Sequence, residues 1–166
     1  LNKIPYFKHD FQNFTLSKSV THAYQALAID DRRETFHPIF WNVNGNDKVR
    51  QVWFSGMHTD VGGGYEEQEL SDIPLQWMLD KAENLGLLIY KKHNVKINGD
   101  YRGLMHDSRK GTWEWLFREK EREWDISLGK PIVHRSVIER ANDPTVIKQK
   151  PYKPWIINYD YEIEEY

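Results

Sequence analysis

The chain has 166 residues, 39% apolar and 29% charged, a balance that excludes an intrinsically disordered polymer. Its 23 basic and 25 acidic residues leave a formal net charge of −2, so there is no basic footprint for nucleic acid, and no apolar run reaches the ~20 residues of a membrane-spanning helix. The lack of cysteine rules out disulfides and thiolate chemistry, while seven Trp, nine Tyr and seven Phe promise a packed core in a length suited to one domain.

Residues 1–16 mix aromatic and polar side chains around Pro5 and read as a loop. A helix is predicted next, capped by Ser17 or Ser19, because Val20, Ala23, Tyr24, Leu27 and Ala28 share one face at helical spacing. Asp30, Asp31, Arg32 and Arg33 close it, as a buried ion-pair network or a solvated helix end, of which the solvated end is the local expectation. His37 to Trp41 is extended, since Pro38 disfavours helix before it, and Asn44-Gly45-Asn46-Asp47 is turn chemistry. Val49 to Phe54, with its β-prone Val52-Trp53-Phe54, is predicted to be a buried strand. It runs into Ser55-Gly56-Met57-His58-Thr59-Asp60-Val61-Gly62-Gly63-Gly64-Tyr65, where three consecutive glycines argue against regular structure.

A second helix is predicted from Ser71 as N-cap, with Asp72 near its positive end, Pro74 in the first turn and Gly86 at its close. Leu75, Met78, Leu79, Ala82 and Leu85 are its expected buried stripe. Further on, His106-Asp107-Ser108 lies in a polar loop before the aromatic segment from Trp113 to Phe117. Ile132-Val133 reads as a short strand, Ser136 to Arg140 as a helical turn, and Tyr152-Lys153-Pro154-Trp155 as part of a proline-punctuated tail.

The order strand, Gly56, His58, glycine triplet, helix is the arrangement most suggestive of chemistry, because open α/β sheets bind ligands just outside the carboxyl ends of their strands. A histidine there is placed to act as a general base; its other use is to hydrogen-bond loop backbone, with Gly56, Gly62, Gly63 and Gly64 forming a plain turn. Asp60 has three uses open to it: orienting an imidazole, ligating a metal with His58, or capping its own loop. A metal would need a third ligand that no neighbouring Cys or His supplies. No Lys-Ser or Lys-Thr follows the triplet, so a phosphate loop is disfavoured. In His106-Asp107-Ser108 adjacency argues against a triad, whose members converge from separate loops; His106 and Asp107 read as turn residues with a secondary contact to the site. His134 reads as structural. None of the seven serines (Ser17, Ser19, Ser55, Ser71, Ser108, Ser127, Ser136) has the flanking glycines of a Gly-x-Ser-x-Gly elbow.

Several segments in order carry a family resemblance: Ala26 to Arg33, Phe36-x-Pro38, Val52-Trp53-Phe54-x-Gly56-x-His58-x-Asp60-Val61-Gly62-Gly63-Gly64-Tyr65, Leu70 to Met78, His106-Asp107-Ser108, and His134-Arg135-Ser136-Val137-x-Glu139-Arg140. Together they resemble the uncharacterised α/β-hydrolase domain family that includes catalytic domains of type VI secretion phospholipase effectors. The resemblance implies an α/β fold with a mostly parallel sheet, and a cofactor-free serine hydrolase acting on carboxylic, lipid or phospholipid, esters. By position His58 is the expected general base and acid. The family's nucleophile elbow and triad Asp lie upstream of Val20, and this chain opens Leu1-Asn2-Lys3 without an initiator Met. Residues 1–166 are therefore expected to be the C-terminal portion of one larger domain, partnered by its N-terminal half and inactive alone. The resemblance also implies a cytoplasmic origin and secretion as an effector. Two positions depart from the family pattern: Gln25 stands where His is expected, and Asp31 where Glu is usual. Two other classes stay open, a non-catalytic interaction module that retains the fold and a metal-assisted hydrolase using His58 and Asp60.

Overall fold

The computed structural model describes residues 16–41, 48–90, 96–107, 117–146 and 151–166. The predicted turn at Asn44 to Asp47, the aromatic run Trp113 to Leu116, Ser108 and nearly all of the predicted opening loop lie outside the described residues. Four strands, β1 (Ala23–Ala28), β2 (Val49–Phe54), β3 (Ile132–His134) and β4 (Glu162–Glu164), form a parallel sheet in the order β1-β2-β3-β4. The helices are α1 (His58–Gly62), α2 (Glu69–Asn84) and α3 (Arg135–Asn142). The chain is thus of the α/β class, with β1 and β4 at the two edges of the sheet.

Side chains alternate across the sheet, and both faces are covered. One face carries Leu27, Trp53 and Val133, packed with Trp124, Val137 and Ile156. Trp53, fully buried, meets Trp124, Trp155 and Phe40 edge to face or tilted at centroid distances of 6.2, 5.3 and 5.9 Å, so this half of the core is an aromatic cluster around one indole. The other face carries Ala28, Val52 and Phe54 under Val61, Ile73 and Trp77 of α1 and α2.

The predicted strands at Val49 to Phe54 and Ile132-Val133 are present, and the predicted turn at Ser136 to Arg140 is the middle of α3. The predicted first helix is not: Ala23–Ala28 is β1, paired residue by residue with Val49–Phe54. Its apolar residues satisfy a helical spacing, but a strand buried on both faces has no clean period of its own, and six partners on β2 decide the matter. α2 begins at Glu69, before Ser71, whose hydroxyl instead donates back to the Gln68 carbonyl at 3.1 Å. Its buried face is Leu70, Ile73, Pro74 and Trp77, while Leu75 and Leu85 are exposed. The phase is set by Trp77, which packs on Phe54 and Tyr24 at 5.5 and 5.9 Å and donates its indole N–H to Glu164 at 3.0 Å. α2 ends at Asn84, and Gly86, the expected stop, follows its cap at φ +94° with the Leu87 amide returning to the Ala82 carbonyl. The tail is more ordered than its prolines suggest, holding a 3-10 turn at Trp155–Asn158 and then β4.

Two buried titratable groups tie this edge together. His134 caps α3 by accepting the Ser136 amide, and its ring stacks on Phe54 at 4.7 Å. Burial pulls its pKa down to about 4, with Glu164 pulling weakly the other way. Glu164 is pushed up by burial, but donors from Lys81 (2.6 Å), Arg50 and Trp77 outweigh that and bring it down to about 2. Both folded values lie below the unfolded ones, so each contribution is full above the unfolded pKa and is lost as pH falls. For His134 the window runs from 6.5 to about 4 and is worth ~3 kcal/mol; for Glu164 it runs from 4.5 to about 2. Urea midpoints should therefore fall first between pH 6.5 and 4, and the advantage of the wild type over His134→Asn should shrink across that interval. A constant difference would show that His134 is not held neutral.

Candidate functional site

The carboxyl ends of β1 and β2 are held together beyond the sheet: Ile29 and Asp30 amides donate to the Phe54 and Gly56 carbonyls, each at 3.0 Å. This places Asp30 and Asp31 beside the segment that leaves β2. Asp30 Oδ2 accepts the Gly56 amide at 2.7 Å and the Tyr152 hydroxyl at 2.8 Å. Burial lifts the Asp30 pKa above the usual carboxylate range, against the pull of these two donors and Arg140. Asp31, fully buried, takes Arg33 through both oxygens (2.6 and 3.0 Å) and accepts the His58 amide at 3.3 Å. Burial works to raise its pKa as well, but the Arg33 hydrogen bonds and charge win and hold it low. The expectation of a solvated charged cluster is thus corrected: the acidic pair is enclosed at a strand end because it has backbone amides and a guanidinium to receive, which open water does not require.

Gly56 has φ +108°, and a Cβ there would overlap the Asp60 Cβ, so glycine is demanded twice, by conformation and by space. The chain then makes the single helical turn α1, where the glycine triplet had argued against regular structure; the turn takes in only Gly62, and Gly63 and Gly64, at φ +83° and +123°, break it. His58 is the first residue of that turn, just past the end of β2, and its side chain is exposed. Its ring meets Phe36 edge to face at 5.2 Å on the wall of a cavity of about 440 Å³ that also takes in Ala28, Pro38 and Arg122. Among the described residues no hydrogen bond is made by the His58 ring. Arg122, buried, donates to the Ala28 and Phe36 carbonyls and stands between this cavity and a larger one of about 790 Å³ lined by Asp30, His106, Asp107 and Tyr152. Nothing in the sequence marks Arg122 or Phe36 as part of the site beyond the Phe36-x-Pro38 resemblance.

Of the candidate residues, the structure joins Asp60 to His106, not to His58. Asp60 is buried and accepts His106 Nδ1 at 2.6 Å and the His106 and Met57 amides at 3.0 and 3.1 Å. Its oxygens are taken by these donors, and among the described residues no group of three His, Cys, Asp or Glu is arranged to hold a metal ion. Asp107 pairs with Arg32 at 3.4 Å. His134 sits at the buried start of α3, in the structural role expected of it.

The sheet is parallel and of the α/β class, the kind that binds ligands outside the carboxyl ends of its strands, and His58 stands on a tight turn at that end of β2. Residues 2–81 match the model of a family described as T6SS, phospholipase effector Tle1-like, catalytic domain, so the chain is similar to that domain over β1, β2, the His58 loop and most of α2. No curated protein and no solved structure matches it. His106 and α3 lie beyond the matched residues.

Gly56→Ala should cost at least ~1–3 kcal/mol from the left-handed φ alone, before the clash with Asp60 is relieved. Thermal unfolding of the purified variant tests this, and an unchanged midpoint would show that the turn does not need glycine.

Proposed function

We propose that this chain forms part of a serine hydrolase for phospholipid carboxylic esters and supplies His58 as the group that carries the proton. The observation that carries the reading is the position of His58: exposed, at the carboxyl end of β2, facing a cavity, and inside the stretch that matches a phospholipase catalytic domain. The serine nucleophile and the aspartate that orients the imidazole are contributed by residues outside this sequence, in an α/β-hydrolase arrangement. The serine hydroxyl gives its proton to the His58 ring as its oxygen attacks the ester carbonyl. The imidazolium returns that proton to the leaving alcohol as the C–O bond breaks, leaving an acyl-enzyme. Water then repeats the sequence and frees the acid. A ring with no hydrogen bond to the described residues is consistent with one that awaits partners on that side. The lipid substrate and a role as a secreted effector are taken from the family description.

In the intact protein, His58→Ala should lower ester turnover by about 10²–10⁴-fold while far-ultraviolet circular dichroism stays unchanged. Undiminished hydrolysis of a short-chain ester would reject His58 as the base. The 166 residues alone should neither hydrolyse esters nor be labelled by a fluorophosphonate, and labelling would place the nucleophile on this chain.

A further inference from the structure

α1 is only five residues long, and an isolated helix of that length does not hold its shape in water. The direction in which it points His58 must come from what grips it. One grip is Asp31, at the His58 amide. The other is Asp60, which lies on α1 itself and closes a ring of contacts with Met57 and His106. Asp60 Oδ2 accepts the Met57 amide at the start of α1 and the His106 amide, while Oδ1 accepts His106 Nδ1 at 2.6 Å. Because the carboxylate accepts, Nδ1 carries the hydrogen. The His106 ring stacks on Tyr65 at 3.7 Å, and the Tyr65 hydroxyl returns to Met57 Sδ at 3.5 Å. His106 Nε2 lies 3.8 Å from Glu67. Residues before, within and after the helical turn are thus tied to one imidazole 46 positions down the chain.

We infer that His106 is a positioning residue for His58, acting through Asp60: it locks the turn so that the His58 ring stands at the mouth of its cavity. The inference rests on the reading of His58 as the proton carrier. Its working part is the Nδ1–H, not the outer nitrogen. Asparagine places an amide N–H where Nδ1 stands, whereas glutamine reaches only as far as Nε2. A histidine that itself moved protons would tolerate neither, and one that reached substrate through Nε2 would be served by glutamine rather than asparagine.

In the intact protein, His106→Ala should lower kcat by about 10–100-fold, the scale of a small misplacement of a catalytic group, with KM nearly unchanged. His106→Asn should recover most of that loss and His106→Gln should not. Full activity in His106→Ala, or an asparagine variant no better than alanine, would overturn the inference. If the wild-type protein turns over no ester, the hydrolase reading fails, and the clamp is then judged on these 166 residues by nuclear magnetic resonance. A downfield His106 Nδ1–H signal should vanish in Asp60→Asn, and the His58 ring signals should shift with it. Unmoved His58 signals would sink the clamp whatever the enzyme does.

Discussion

Two adjacent carboxylates at the end of β1 hold the exit of β2 where it is. Asp30 receives the Gly56 amide and Asp31 the His58 amide, so each carboxylate is met by a donor from the neighbouring strand's continuation. Without these bonds the polypeptide leaving β2 could turn toward either face of the sheet. With them, Gly56 must take a left-handed φ, Met57 opens α1, and His58 emerges on the side of Phe36. The same aspartates draw in the rest of the chain: Tyr152 reaches Asp30 from the tail, and Arg33 closes on Asp31. Arg122 sits within their field, and it bonds carbonyls at the end of β1 and at Phe36, so the positive charge left in the wall between the two cavities is steadied by acids it does not touch.

The site differs from its surroundings in how its polar groups are arranged. Asp30, Asp31 and Asp60 each serve backbone amides as well as side chains, which fixes loops in a way that side-chain pairs on a surface do not. Arg32–Asp107 and Arg135–Glu165 are exposed pairs of side chains, a kind of contact that contributes little to stability.

Where local chemistry decided the outcome, the sequence was legible. β2 is a β-prone run bounded by turn residues, Gly86 follows the cap of α2, and the Gly56-x-His58 order after an apolar run already marks a histidine at a strand end. Where tertiary contacts decided it, the sequence misled. The residues of β1 satisfy a helical spacing as well as a doubly buried strand, and only the partner strand distinguishes them. The apolar surface of α2 is wide enough to allow more than one buried stripe, and Trp77 chose among them by reaching Phe54 and Glu164. β4 reads Glu162-Ile163-Glu164, which looks solvated until Arg50 and Lys81 are seen to meet its second glutamate. The partnership of Asp60 with His106 had no local signal at all, since it closes between segments far apart in the chain.

That separation has a kinetic side. Asp60 and His106 are 46 positions apart, Asp30 and Tyr152 are 122 apart, and Trp155 reaches the Ile29 carbonyl across 126. Each closure must meet its loop entropy before any bond repays it, and so must the sheet itself, whose pairing of Val52 with Ile132 joins residues further apart than Asp60 and His106. The loop that carries His58 therefore depends on the same kind of long-range closure as the sheet, with anchors that come from His106 and, through Asp30, from Tyr152. A turn of five residues thus takes its direction from segments far along the chain rather than from its own sequence.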